Sequence, residues 1–181
     1  MVCCVTGHRS KGFPFSRGEK DFANMEYEEV LQESIVKLVH QGYLDFITGM
    51  AEGADMDFAE AVLYVKNDLE YDFVTLEAAL PCPVYMPKNP TEFHYEHDEI
   101  MKVCDRVTTV SPQYHRGCMQ KRNRYMVDRS DMVLAIWNGE HSGGTWDTIK
   151  YAQKCEKPIQ YIMLKKMGLF ERLRSEECLS K

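Results

Sequence analysis

Three stretches of this 181-residue sequence combine glycine with hydroxyl, basic or acidic side chains: Thr6-Gly7-His8-Arg9, Gly49 to Asp55, and Asn138 to Thr145. Within the last, Ser142-Gly143-Gly144-Thr145 has the composition of an anion-binding helix start. Glycine lets an anion approach the backbone with no Cβ in the way, and the free N–H groups and positive dipole end of a helix then face it. Thr145 adds a hydroxyl donor. An ordinary Gly-Gly turn with a threonine cap reads about equally well. In Gly49-Met50-Ala51-Glu52-Gly53-Ala54-Asp55, the two acids suit sugar hydroxyls, and both also suit the first turn of a helix. The helix reading is preferred for Asp55. Glu52, flanked by small residues that invite close approach, is read as functional. In the first stretch Gly7 permits a sharp exit from a strand and Arg9 is a good phosphate fork. His8 is a candidate general base, a ligand contact or a plain loop residue.

Other chemistry-bearing residues are weaker signals. His94 and His97 sit at helical spacing near Glu96 and Asp98. A solvated helix face is preferred there over a metal site, and no metal is expected. Arg122-Asn123-Arg124 and Asp128 either reach over a site from a helix or form surface ion pairs. Seven cysteines occur without a CxxC pair, which reads as reduced thiols filling a core. A Walker loop, GxGxxG and GxSxG are all missing.

The elements that must position these loops follow from periodicity. Residues 2–6 are apolar on both faces, as in a buried parallel strand. A polar stretch runs from Gly7 to about Lys20. Tyr27, Val30, Leu31, Ile35, Leu38 and Val39 mark one helical face, stopped by Gly42. Strands are expected at Leu44–Thr48, Phe73–Leu80, Arg106–Val110, Met132–Trp137 and Pro158–Leu164, with Met132–Trp137 central. Helices are expected around Ala54–Val65, over 91–104 and 117–129, at Thr145–Lys154, and in the charged tail from Lys165. This alternation predicts an α/β fold: a Rossmann-like open parallel sheet with helices on both faces. The three glycine stretches each follow a strand, so they should converge at the carboxyl edge of the sheet, where ligands bind in such folds.

Hydrophobic residues at 44% and charged residues at 28% exclude a disordered or fibrous chain. The length suits one domain over residues 1–181. Twenty-eight acids against 22 Lys plus Arg give a net charge of −6, whose field opposes nucleic acid. The expected partner is a nucleotide-type small molecule, not nucleic acid and not a membrane. With neither a signal-peptide layout nor a spanning apolar run, the expected location is the cytoplasm.

Taken together, TGHR, ITGMAEGAD, RNRYMVDRSDMVLAIWNG and SGGTWDTIKYA resemble the YpsA-like branch of the SLOG superfamily, from about Val2 to Leu164. The superfamily also holds the DNA-processing protein DprA and the LOG (lysine decarboxylase-like) nucleotide phosphoribohydrolases. The resemblance implies a bacterial-type Rossmann-like protein with a nucleotide ligand, NAD and ADP-ribose among the candidates, and homo-oligomers are common among such proteins. In that reading Gly143, Gly144 and Thr145 hold phosphate and Arg9 neutralises it. Gly49, Glu52 and Gly53 shape and read the sugar end, with Thr6, Gly7, His8 and Asn138 completing the converging loops.

LOG enzymes carry PGGxGTxxE, whose glutamate serves catalysis. Gly144-Thr145 align with the GT, but the glutamate position falls on Thr148. Asp147 is one place early, a turn of about 100° on a helix. Binding or sensing is therefore preferred. The alternatives are N-glycosidic hydrolysis, with Glu52, Asp147 or His8 as acid–base candidates, and a protein-interaction module that has lost its ligand.

Overall fold

The computed structural model describes residues 1–16, 21–84 and 87–166. The helix expected in the charged tail falls almost entirely outside them; Leu164–Lys166 form a short 3-10 turn. The strands are β1 (Val2–Gly7), β2 (Asp45–Thr48), β3 (Thr75–Leu80), β4 (Arg106–Thr109), β5 (Met132–Trp137) and β6 (Ile159–Met163). The helices are α1 (Phe22–His40), α2 (Ala54–Asn67), α3 (Glu92–Val103), α4 (Cys118–Arg129) and α5 (Gly143–Lys154). The six strands form one sheet in the order β4-β3-β2-β1-β5-β6, and every pairing is parallel.

This order places a reversal at β1. The chain winds outward through β2, β3 and β4, then crosses back to lay β5 on the other side of β1. Right-handed crossovers then put α1, α2 and α3 on one face and α4 with α5 on the other, and the helix contacts divide in that way. Both faces are covered, so β1 and β5 bury nearly every side chain; Cys3, Cys4, Val133, Leu134 and Ile136 are fully buried. Burial, with a smaller push from Asp55, holds the Cys4 thiol up at about 12 against the lowering effect of its Ser130 hydrogen bond, so it stays an inert core group. The edge strand β4 exposes Arg106, Val107 and Thr109.

Local chemistry sets the helix ends. Asp21 caps α1 by accepting from the N–H groups of Ala23 and Asn24 at 2.9 and 3.4 Å. That cap starts the helix a turn and a half before its apolar stripe. At α3, Thr91 and His94 form a capping box. Strand β3 begins at Thr75, later than the apolar run, because the Val74 N–H turns back to the Tyr71 carbonyl at 2.9 Å and leaves Phe73 exposed.

Two glycines press the β1 loop against α2. A Cβ on Gly7 would overlap the Cβ of Ala54. Gly53 has φ +95°, and a Cβ there would lie 2.7 Å from the His8 carbonyl oxygen and from the Ser10 nitrogen. The Ala54 N–H donates to the His8 carbonyl at 3.0 Å, locking the two loops together. Gly7→Ala should therefore cost about 1–3 kcal/mol through overpacking. A urea denaturation midpoint measures it; an unchanged midpoint would mean that α2 shifts freely and the apposition carries no stability.

Candidate functional site

The reversal of strand order opens a crevice between the carboxyl ends of β1 and β5, where open parallel sheets bind ligands. A polar lobe of about 350 Å³ lies there, lined among others by Thr6, Gly7, His8, Arg9, Glu52, Gly144 and Thr145. A second lobe of about 370 Å³ continues it toward β3 and α3, with Gly49 in its wall. Arg9, Ala51, Glu52, Met119 and Arg122 belong to both. Gly53 borders an open groove beside them. The three glycine loops therefore meet at one sheet edge.

At the α5 start, Ser142 gives no side-chain cap, so the first-turn N–H groups are left for an external acceptor. A Cβ on Gly143 or Gly144 would meet nothing within 4 Å, which leaves the backbone open to approach. The Thr145 hydroxyl is engaged, donating to the Gly7 carbonyl at 2.7 Å and tying α5 to β1. Its proton is thus spent inside the protein, and what Thr145 presents is its backbone. The preceding loop is held in place. Trp137 Nε1 donates to the Glu140 carbonyl at 3.0 Å, and the Glu140 N–H donates to Asn138 Oδ1 at 2.9 Å. Trp137 stacks on Trp146 with centroids 5.5 Å apart and planes 9° apart. Asn138 itself is buried, donates to the Gly12 carbonyl at 3.2 Å and lies outside both lobes, so it positions the loop.

The floor of the cleft is an ion pair between Arg122 and Asp55. Arg122 Nη1 lies 3.3 Å from Asp55 Oδ2, with the side chains 7% and 10% exposed. The Ala51 N–H also reaches Asp55 Oδ2, at 3.4 Å. Burial pushes the Asp55 carboxyl above its ordinary range; Arg122, the Ala51 N–H and, more weakly, Arg9 oppose that rise. The guanidinium occupies the space a side chain at residue 49 would need, since a Cβ on Gly49 would overlap it. Gly49 thus makes room for Arg122. Arg122 Nε is buried without a partner among the described residues. Arg122 was one of two even readings in sequence; the signal was its place on the stripe Cys118, Arg122, Met126, a four-residue period whose other members are apolar core. A buried arginine on such a stripe requires a carboxylate.

The acid–base candidates separate. Asp147 points to solvent, 57% exposed and paired with Lys150 at 2.9 Å, and it lines neither lobe. The one-place offset, a turn of about 100° on a helix, carries it off the cleft face. Thr148 is committed, donating to the Gly144 carbonyl at 2.8 Å and accepting from Asn123 Nδ2 at 2.9 Å. His8 lines the polar lobe, but its Nε2 is buried without a hydrogen-bond partner among the described residues. Burial pushes its pKa down, against Glu140 and Asn138, which favours the neutral ring. Glu52 is exposed and borders both lobes and the groove.

His94 and His97 are not on a solvated face: both are half-buried in the wall of the second lobe. His94 Nδ1 accepts from the Thr91 N–H at 3.1 Å. Among the described residues no three His, Cys, Asp or Glu side chains gather as a metal-binding group. No helix among them is long and apolar enough to cross a membrane.

A parallel sheet with its reversal at β1, a glycine-opened helix start and arginines in the adjoining crevice define a Rossmann-like α/β protein. The chain belongs to the YpsA (YspA SLOG) family, whose sequence model matches residues 3–167. It is similar to a UPF0398 protein of Bacillus pumilus (strain SAFR-032), 26% identical over 171 residues, covering 90% of this chain and 88% of the relative. A UPF0398 protein of Ligilactobacillus salivarius (strain UCC118) is 29% identical over 149 residues, covering 80% and 79%. Among solved structures, DNA processing protein A from Helicobacter pylori has the same fold, with a TM-score of 0.58 and 19% identity over 97% of this chain and 73% of that one. That protein is described by its single-stranded DNA binding mode. The expectation that nucleic acid is excluded as a partner is corrected by this neighbour. Net charge does not by itself exclude a strand, because a local groove and not the sum over the surface would have to meet it.

Proposed function

We propose that this protein binds or senses a phosphate-bearing, nucleotide-derived small molecule, of the NAD, ADP-ribose or mononucleotide class, as a single cytoplasmic domain. One observation carries the reading: the open first turn of α5, Arg9 and the buried Arg122 converge on one cleft at the strand-order reversal. Backbone N–H groups and a guanidinium fork are complementary to phosphate oxygens, and Glu52 at the rim suits ribose hydroxyls. A thermal-shift series with AMP, NAD and ADP-ribose tests it, because ligand binding to the folded state raises the melting temperature. No shift with any of them would favour the interaction-module alternative.

Hydrolysis of the N-glycosidic bond has less support. A general base must reach its proton within hydrogen-bonding distance, and Asp147 faces away while position 148 holds a committed hydroxyl. The expected result is binding without turnover when AMP, NAD and ADP-ribose are incubated with the protein and products are separated by chromatography. Multiple turnovers that vanish in Glu52→Gln would replace the binding reading with the hydrolase.

A second reading, that the nucleotide is carried on a single strand of nucleic acid, draws on the fold shared with H. pylori DNA processing protein A. It also draws on exposed Lys121 and Arg124, which flank Arg122 on α4. Fluorescence anisotropy with a labelled oligonucleotide at low and high salt separates it from small-molecule binding, since strand binding weakens steeply with salt.

A further inference from the structure

The second lobe differs in chemistry from the first. It contains none of the α5 glycines, and its walls include Leu80, Pro81, Phe93, Met101 and Met119. We propose that the ligand spans both lobes, with its phosphate against α5 and an uncharged planar ring between the end of β3 and α3. Within the nucleotide class proposed above, this assigns the base to the lobe walled by Phe93, Met101 and Met119, away from the α5 glycines. This inference rests on the phosphate reading given under Proposed function.

Three features support the ring. First, the lobes adjoin, with Arg9 and Arg122 in the walls of both, so a group anchored by phosphate in one lies beside the other. Each lobe falls near the lower end of the range of about 300–1,000 Å³ typical of small-molecule pockets, so together they suit a ligand larger than a sugar phosphate. Second, the lining fits a flat polarizable surface. Phe93 is packed edge-on to His94 and His97, with centroids 5.4 and 5.7 Å away, which fixes its ring at the wall. Met101 and Met119 add thioethers that adapt to aromatic faces. Third, the polar groups suit a neutral ring. His97 makes no hydrogen bond among the described residues, and burial lowers its pKa, which favours the uncharged imidazole that can meet a base edge as donor or acceptor. Asp98 borders the same wall, with its carboxylate paired to Lys102 at 2.9 Å.

Isothermal titration of AMP, ribose 5-phosphate and pyrophosphate, against wild type and Phe93→Ala, tests the assignment. AMP should bind wild type on the order of tenfold tighter than ribose 5-phosphate, the scale of one base–aromatic contact. Phe93→Ala, its fold checked by melting temperature, should lose that advantage and keep its ribose 5-phosphate affinity. Equal affinity of AMP and ribose 5-phosphate for wild type overturns the ring lobe and leaves the phosphate reading standing; this comparison needs no variant. An AMP advantage that survives in folded Phe93→Ala also overturns it, because the ring then sits elsewhere. If none of the three compounds binds wild type, the two-lobed ligand is overturned, and the phosphate reading fails with it when NAD and ADP-ribose also give no thermal shift.

Discussion

Arg122→Met is expected to lower stability by about 3–5 kcal/mol, the cost of leaving one member of a buried ion pair alone. Methionine keeps the length and apolar stem of the side chain, so the loss reports the guanidinium. Asp55 then retains a buried carboxylate whose remaining support is the Ala51 N–H at 3.4 Å and the more distant Arg9. The pH dependence has a definite sign. Burial already places the folded pKa of Asp55 above its unfolded value. The folded state therefore holds that proton more tightly. Stability from this group is full below the unfolded carboxylate range and is lost as pH rises through the folded pKa. Removing Arg122 raises the folded pKa further and widens that window upward. The deficit against wild type should be largest near neutral pH and should shrink on acidification into the carboxylate range. Adding Asp55→Asn to Arg122→Met should recover stability at neutral pH, since the uncompensated charge is gone. Chemical denaturation of both variants across pH measures all of this. A loss under about 1 kcal/mol with no pH dependence would mean that the pair is as weak as a surface salt bridge.

Gly144→Val is expected to cut nucleotide affinity by about 10- to 100-fold while the protein stays folded. The loss corresponds to one charge-assisted backbone hydrogen bond to phosphate, about 1.5–3 kcal/mol. The first-turn amides at α5 are accessible because residues 143 and 144 carry no side chain, and a branched one at 144 would stand between amide and anion. Folding should tolerate it. A Cβ there meets nothing within 4 Å, and Gly144 is not among the glycines with positive φ. Helix propensity changes by under about 1 kcal/mol. Calorimetry with the tightest binder among AMP, NAD and ADP-ribose, beside a denaturation curve, is the measurement. Full affinity in the folded variant would remove the α5 turn from the phosphate site and leave Arg9 and Arg122 as its remaining anchors.

The sequence by itself determined the elements and their edge. Unbroken apolar runs at residues 2–6 and 132–137 mark strands buried on both faces, and the helical stripes between them mark crossovers, because burying one helix face is a local periodic requirement. From this alternation alone, Gly7, Gly49 and Gly144 belong at one sheet edge, and the structure brings them there. Capping was only partly legible: Asp21 starts α1 before its stripe begins, since a cap needs one residue and no pattern. What only tertiary structure decided were choices among equal local readings. Asp55 reads as a helix-start acid until α4 lays Arg122 beside it, 67 positions away in sequence. Gly49 reads as a ligand-approach glycine until that guanidinium fills the space of its missing side chain. The Thr145 hydroxyl reads as a phosphate donor until the β1–β5 pairing brings the Gly7 carbonyl within 2.7 Å. His94 and His97 read as a solvated face until α3 is laid across a cavity from the end of β3. In each case the deciding partner comes from another segment of the chain. Pairing and exclusion between such segments depend on distance in space, which residue type and spacing along one segment do not encode.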